Sequence, residues 1–209
     1  MKKFITLLLA AVMAVTLAGS LASCSKSAPP PLEEVMDELV DVIEASHEVN
    51  VLLFGAGLPT YPRGNAEDTL VHRYYGVTDD GNLYVTPYAK YRYVEEMKEA
   101  IADVYGSSYR ESLYDSVFTG HAIAENVNTV LPARYTQGKN ALFQSGRVEA
   151  LVSGVRTYDY AGMKIVSPST ASHLRVSIPS CTDTDPEWRT VYLSFVLEDG
   201  RWYLDSPSC

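Results

Sequence analysis

The chain has 209 residues, with 26 acidic against 17 basic side chains and a formal net charge of −9 at neutral pH. That surplus of negative charge argues against DNA, RNA or teichoic acid as partners, because polyanions are met by Lys and Arg. An apolar content of 46% is that of a chain with a packed core and argues against disorder over most of its length.

The chain begins Met1-Lys2-Lys3 and continues through an apolar stretch from Phe4 to Leu17. A basic start, an apolar middle and small residues before a cleavage point make an export signal. The stretch is shorter and more interrupted than the roughly 20 apolar residues of a membrane span; its retention as an anchor is the alternative. The segment closes on Leu21-Ala22-Ser23-Cys24, which resembles the lipobox of bacterial lipoproteins. The resemblance implies that residues 1-23 are removed and that Cys24 becomes the mature N-terminus. Cys24 would then carry a diacylglyceryl group and palmitate-type acyl chains. The partner so implied is the lipid bilayer, at the extracytoplasmic face of the cell membrane. Losing Lys2 and Lys3 would take the net charge from −9 to −11. Acyl chains contribute about 0.8 kcal/mol per buried CH₂, and several together anchor stably.

Residues 24-31 end in Pro29-Pro30-Pro31 and read as an extended, semi-rigid tether. Residues 32-209 are expected to form a single domain. Leu32 to about Phe54 predicts a long amphipathic helix, with Leu32, Val35, Met36, Leu39, Ile43, Leu53 and Phe54 at helical spacing. Pro31 precedes it, acids fill its first turns, and Gly55-Ala56-Gly57 with Pro59 stop it. Thr69 to Val77 and Asn82 to Thr86 are strand-like around the turn Thr78-Asp79-Asp80-Gly81. Tyr93 to Tyr105 predicts a second helix, and Ser108-Tyr109-Arg110-Glu111 reads as a capping box opening a third, to about Phe118. From Pro132 onward the chain is strand-like with glycine turns. The last strands, His173-Ile178, Thr190-Leu197 and Trp202-Asp205, form a meander. Its final turn, Glu198-Asp199-Gly200-Arg201, pairs residues whose numbers sum to about 399.

Three cysteines occur. With Cys24 lipidated, Cys181 and Cys209 read first as a disulfide in an exported domain. The predicted register puts both at one end of the meander, Cys181 beside Trp188 and Cys209 beside Thr190. Bridging requires their tails to converge to Cα distances below about 7 Å; two free thiols are the alternative.

Motifs that would carry chemistry are incomplete. His47-Glu48 begins a His-Glu-x-x-His pattern, but position 51 is Val, so a metal cannot be gripped from that face and His47 reads as a partly buried structural side chain. Asp183-Thr184-Asp185-Pro186-Glu187 alternates carboxylates, yet the EF-hand positions for Gly and Glu hold Trp188 and Ser194, so it reads as a solvated turn. Cys181 and His173 lack a cysteine-peptidase context, and no Gly-x-Ser-x-Gly elbow occurs. Gly55-Ala56-Gly57 follows a helix rather than a strand and is a helix stop, not a phosphate cradle. The expectation is a non-enzyme without cofactor or metal.

Tyrosine is abundant, at fifteen residues. Tyr74, Tyr84, Tyr88 and Tyr91 are candidates for an aromatic binding surface for a glycan or peptide, against the plainer reading that the rings cover a small sheet.

Helices first and an antiparallel sheet later predict an α+β fold, with N-terminal helices packed on a curved antiparallel sheet. The closing phrase Glu198-Asp199-Gly200-Arg201-Trp202-Tyr203-Leu204-Asp205-Ser206 resembles the last hairpin of cystatin-like or nuclear-transport-factor-2-like cones. Export, acidity, size and element order also make the chain similar to IseA-type inhibitors of cell-wall DL-endopeptidases. These resemblances imply a non-catalytic protein-binding or inhibitory module in the cell envelope, with a cell-wall enzyme or other envelope protein as partner. A small-ligand binder or enzyme using the concave pocket, and a structural envelope lipoprotein, are the alternatives.

Overall fold

The computed structural model describes residues 28–61, 81–122, 130–148, 150 and 154–209. The expected signal segment with Cys24, the strand expected at Thr69 to Val77, and Tyr74 lie outside the described residues. The fold is α+β, with three helices on curled antiparallel sheets.

Helix α1 spans Leu32–Leu53. Pro31 precedes its first turn, and Glu33 and Glu34 sit where the helix dipole favours negative charge. One face is buried, including Val35, Leu39, Val42, Ile43, Val49 and Leu53. Leu39 and Ile43 are wholly enclosed; burying such a side chain contributes about 2 kcal/mol relative to leaving it in water.

The stop of α1 is built from distant parts of the chain. No basic residue lies in its last turn. Instead Arg134 donates from Nε to the Leu52 carbonyl at 3.0 Å and from its terminal nitrogen to the Gly55 carbonyl. Tyr135 OH donates to the same Leu52 carbonyl at 3.0 Å. The buried guanidinium thus lies against the negative end of the helix dipole. Gly57 (φ +79°) completes the turn, and a Cβ there would sit 2.4 Å from Gln144 Oε1, so only glycine fits.

The larger sheet holds β6 (Arg156–Tyr158), β7 (Lys164–Val166), β8 (His173–Thr182), β9 (Arg189–Glu198) and β10 (Arg201–Leu204). Its order is β10-β9-β8, with β6 and β7 sharing the far side of β8. Arg201 pairs with Glu198 and Leu204 with Phe195, the predicted register, across a two-residue Asp199-Gly200 turn with both φ positive. Leu174, Val176 and Ile178 alternate inward from β8, Leu193 and Phe195 from β9, and Trp202 and Leu204 from β10. They meet α1, whose Glu38 Oε1 accepts the Trp202 N–H at 2.7 Å.

Strands β1 (Asn82–Tyr84), β4 (Tyr135–Gln137) and β5 (Leu142–Ser145) form a second sheet, in the order β1-β5-β4. Strands β2 (His121–Ala122) and β3 (Val130–Leu131) pair separately. Helix α2 (Val94–Ala102) opens with Glu96 Oε2 accepting the Arg92 and Tyr93 N–H groups at 2.7 and 3.1 Å. Helix α3 (Ser107–Tyr114) runs on into a π turn, Asp115–Thr119. The expected Ser108–Glu111 capping box is not its start. Gly106 is the N-cap, and Glu198 of β9 accepts the Ser107 N–H at 3.0 Å and the Ser107 hydroxyl at 2.8 Å. The cap comes from the sheet, 91 residues away.

Candidate functional site

A cavity of about 560 Å³ opens between the C-terminal half of α1 and the β6–β8 edge. Helix α1 contributes His47, Glu48, Asn50 and Val51, and the turn after it contributes Gly55 and Ala56. The opposite wall is Val155 and Arg156 entering β6, with Thr182 at the end of β8. Ser208 and Cys209 reach in from the C-terminal segment.

Local chemistry shapes the mouth. Gly154 has φ +113°, and a Cβ there would fall 2.2 Å from Asp183 Oδ1. That oxygen accepts the Val155 N–H at 3.0 Å and holds the start of β6 in place. Val155 and Val51 remain 60% and 48% exposed, although large apolar residues. Both line the cavity rather than the core, so the opening offers apolar surface to water.

The floor is a closed polar network. Ser46 Oγ donates to the Ile43 carbonyl at 2.5 Å and lies 2.6 Å from Ser208 Oγ. Asn50 Nδ2 donates to Ser208 Oγ at 2.8 Å, and Tyr105 OH donates to Asn50 Oδ1 at 2.7 Å. Tyr158 OH donates to the Ser208 carbonyl. Each member meets a partner, as burial demands. Burial pushes the phenols of Tyr105 and Tyr158 well up, and pushes the Cys209 thiol up as well. Cys209 is therefore held as S–H at neutral pH, the weakly nucleophilic form.

His47 is half-buried, and its ring stacks on Tyr158 with centroids 6.0 Å apart. Tyr158 stacks in turn on Tyr160, whose hydroxyl donates to Glu44. Nδ1 of His47 faces Glu44 at 4.0 Å, while its Nε2 is buried with no hydrogen-bond partner among the described residues. His47 is thus the partly buried side chain expected, and it also borders the cavity. Among the described residues no group of three or more His, Cys, Asp or Glu is placed to hold a metal.

The expected Cys181–Cys209 disulfide is not formed; both thiols are free. The register was read correctly, since the pairing Ser180↔Arg189 places Cys181 across from Trp188. Two features defeat the bridge. The inward residues of β8 are Leu174, Val176, Ile178 and Ser180, so Cys181 points to the outer face, whereas Cys209 lines the cavity on the inner side. The chain also leaves β9 after the Asp205 N–H bonds the Ser194 carbonyl, and Ser208 carries it under α1. Cys209 never reaches Thr190.

The tyrosine candidates do not share a face. Tyr84 packs on Phe143 at 4.6 Å, Tyr88 is 92% exposed, and Tyr91 is a core ring whose hydroxyl donates to Glu48 at 3.2 Å. Cys181 and His173 stand at opposite ends of β8. Eight residue steps at about 3.4 Å each put them about 27 Å apart along the strand. In the acidic turn, Asp183 holds Val155, and Asp185 and Glu187 meet Arg189 at 3.3 and 2.7 Å. Sequence reasoning missed Arg156, Ser208 and the Ser46–Asn50 pair. The last had a visible signal: two polar residues four apart within the apolar stripe of α1.

No protein-family model matches the chain, and no characterised protein matches it significantly. Among the described residues no helix is long and apolar enough to cross a membrane.

Proposed function

We propose that the protein is an exported, lipid-anchored binding module of a bacterial cell envelope, and that it binds a small ligand in the α1/β6/β8 cavity without catalysing its conversion. The cavity itself carries this reading. Concave, largely apolar sites of 300–1,000 Å³ with a few placed polar groups are the usual form of small-molecule sites, and this one has about 560 Å³. Burial pushes its thiol further up from the ordinary value, away from the thiolate that nucleophilic chemistry uses. A long helix across a curled antiparallel sheet is also the arrangement behind the likeness to cystatin-like cones, and it supports reading the concavity as the working part. The tyrosine-face variant, docking on a cell-wall enzyme, is weakened because Tyr91 is buried.

The anchoring half rests on Leu21-Ala22-Ser23-Cys24. Growth of a bacterial host with an alkyne-tagged palmitate should label the wild-type protein and not Cys24→Ala. The binding half is tested by nuclear magnetic resonance mapping of a fragment library on the full chain. Hits should shift Val51, Ala56 and Val155 together; a library whose hits all map elsewhere, or that yields none, overturns it.

A further inference from the structure

The charges around the cavity narrow its ligand, on the reading that the cavity is a binding site. Glu48 borders it, but Lys90 Nζ meets that carboxylate at 2.6 Å and Tyr91 OH adds a bond at 3.2 Å. Arg156 borders it too. Its partner among the described residues is a neutral hydroxyl, Ser180 Oγ at 2.8 Å, and no described carboxylate lies within ion-pair distance of it. A partly buried guanidinium against apolar walls calls for an anion, and its planar fork fits a carboxylate in two-point fashion. His47 also lines the cavity, with its ring stacked on Tyr158, but its Nε2 is closed off from solvent and has no partner among the described residues. Beside these stand Val51, Ala56 and Val155, which can cover only an apolar body.

We propose that the cavity takes a small amphipathic monocarboxylate. Arg156 holds the carboxylate, and Val51, Ala56 and Val155 pack on the aliphatic part. A single cationic fork beside apolar walls suits one carboxylate on a hydrocarbon better than a phosphate, which needs donors on several sides.

The test uses the full chain in lipid nanodiscs, with empty discs as blank. Calorimetric titrations compare 4-methylpentanoate with its isosteric amide, 4-methylpentanamide. The acid should bind about tenfold or more tightly than the amide, shifting the Val51 and Val155 methyl signals. Arg156→Gln should abolish that preference. Arg175→Gln, whose guanidinium lies over Tyr192 and outside the cavity lining, should leave it intact. Equal binding of acid and amide overturns the carboxylate assignment and leaves the cavity as a binding site. Failure of both to bind also overturns it; the binding site itself then stands or falls with the fragment mapping.

Discussion

Asn50 and Ser208 lie 158 residues apart in the chain and are joined by a 2.8 Å bond from Asn50 Nδ2 to Ser208 Oγ. The bond ties the C-terminal segment to the last turn of α1 and closes the floor of the cavity. Ser208→Ala strands the Asn50 donor and removes the neighbour of Ser46 Oγ. Leaving buried polar groups unmatched costs about 1–3 kcal/mol. Urea unfolding should show a lower midpoint with an unchanged slope, since the surface exposed on unfolding is the same.

Arg134 satisfies the end of α1 and, among the described residues, pairs with no carboxylate. Arg134→Met keeps the aliphatic stem and removes both bonds and the charge at the dipole. The expected loss is about 2–3 kcal/mol. Amide exchange of the turn at Phe54 to Gly57 should accelerate more than that of β8 and β9.

Two glycines with positive φ separate strain from crowding. Gly200 (φ +82°) has nothing within 4 Å of a built Cβ, whereas at Gly57 (φ +79°) that atom falls 2.6 Å from Tyr135 OH as well as against Gln144. Gly200→Ala should cost about 1 kcal/mol from backbone strain alone, and Gly57→Ala about 2 kcal/mol or more. Thermal unfolding of the two variants side by side checks the order.

Alkaline pH should destabilise the fold. A thiol or phenol whose folded pKa is raised keeps its proton after the unfolded chain has lost it. Its contribution is full below the ordinary value and is lost as pH rises towards the raised one. Those ordinary values are 9.0 for Cys209 and 10.0 for Tyr105 and Tyr158. The melting temperature should therefore hold to about pH 9 and fall above it, and Tyr158→Phe should flatten the fall.

The cysteines should stay apart under oxidation. Cys181 faces outward and Cys209 inward, so mild oxidant should leave the monomer with two alkylatable thiols in intact-mass spectra. A monomer that loses both thiols and two protons would contradict the opposed faces.

Legibility followed sequence distance. The bounds of α1 were visible because Pro31 and Gly55 lie in the chain beside them, and the β9–β10 register because Asp199-Gly200 permits one tight turn. The cap of α3 was misassigned because its acceptor, Glu198, belongs to a strand 91 residues on. The disulfide failed on parity, since a matched register says nothing about where the chain goes after its last paired residue. The cavity needed Arg156, set opposite Thr182 by the pairing of β6 with β8, to share its lining with His47 of α1, a placement no local pattern encodes.

Helix α1 also sets a distance. The chain enters it at Leu32, and His47 stands fifteen residues further along. At 1.5 Å per residue that is a rise of about 23 Å. A lipid at Cys24 would grip the domain at the opposite end of this rod from the cavity. Three prolines leave little slack at the join. The helix would then act as a spacer between the membrane attachment and the binding mouth, and a substitution that shortened it would move the mouth along with the fold.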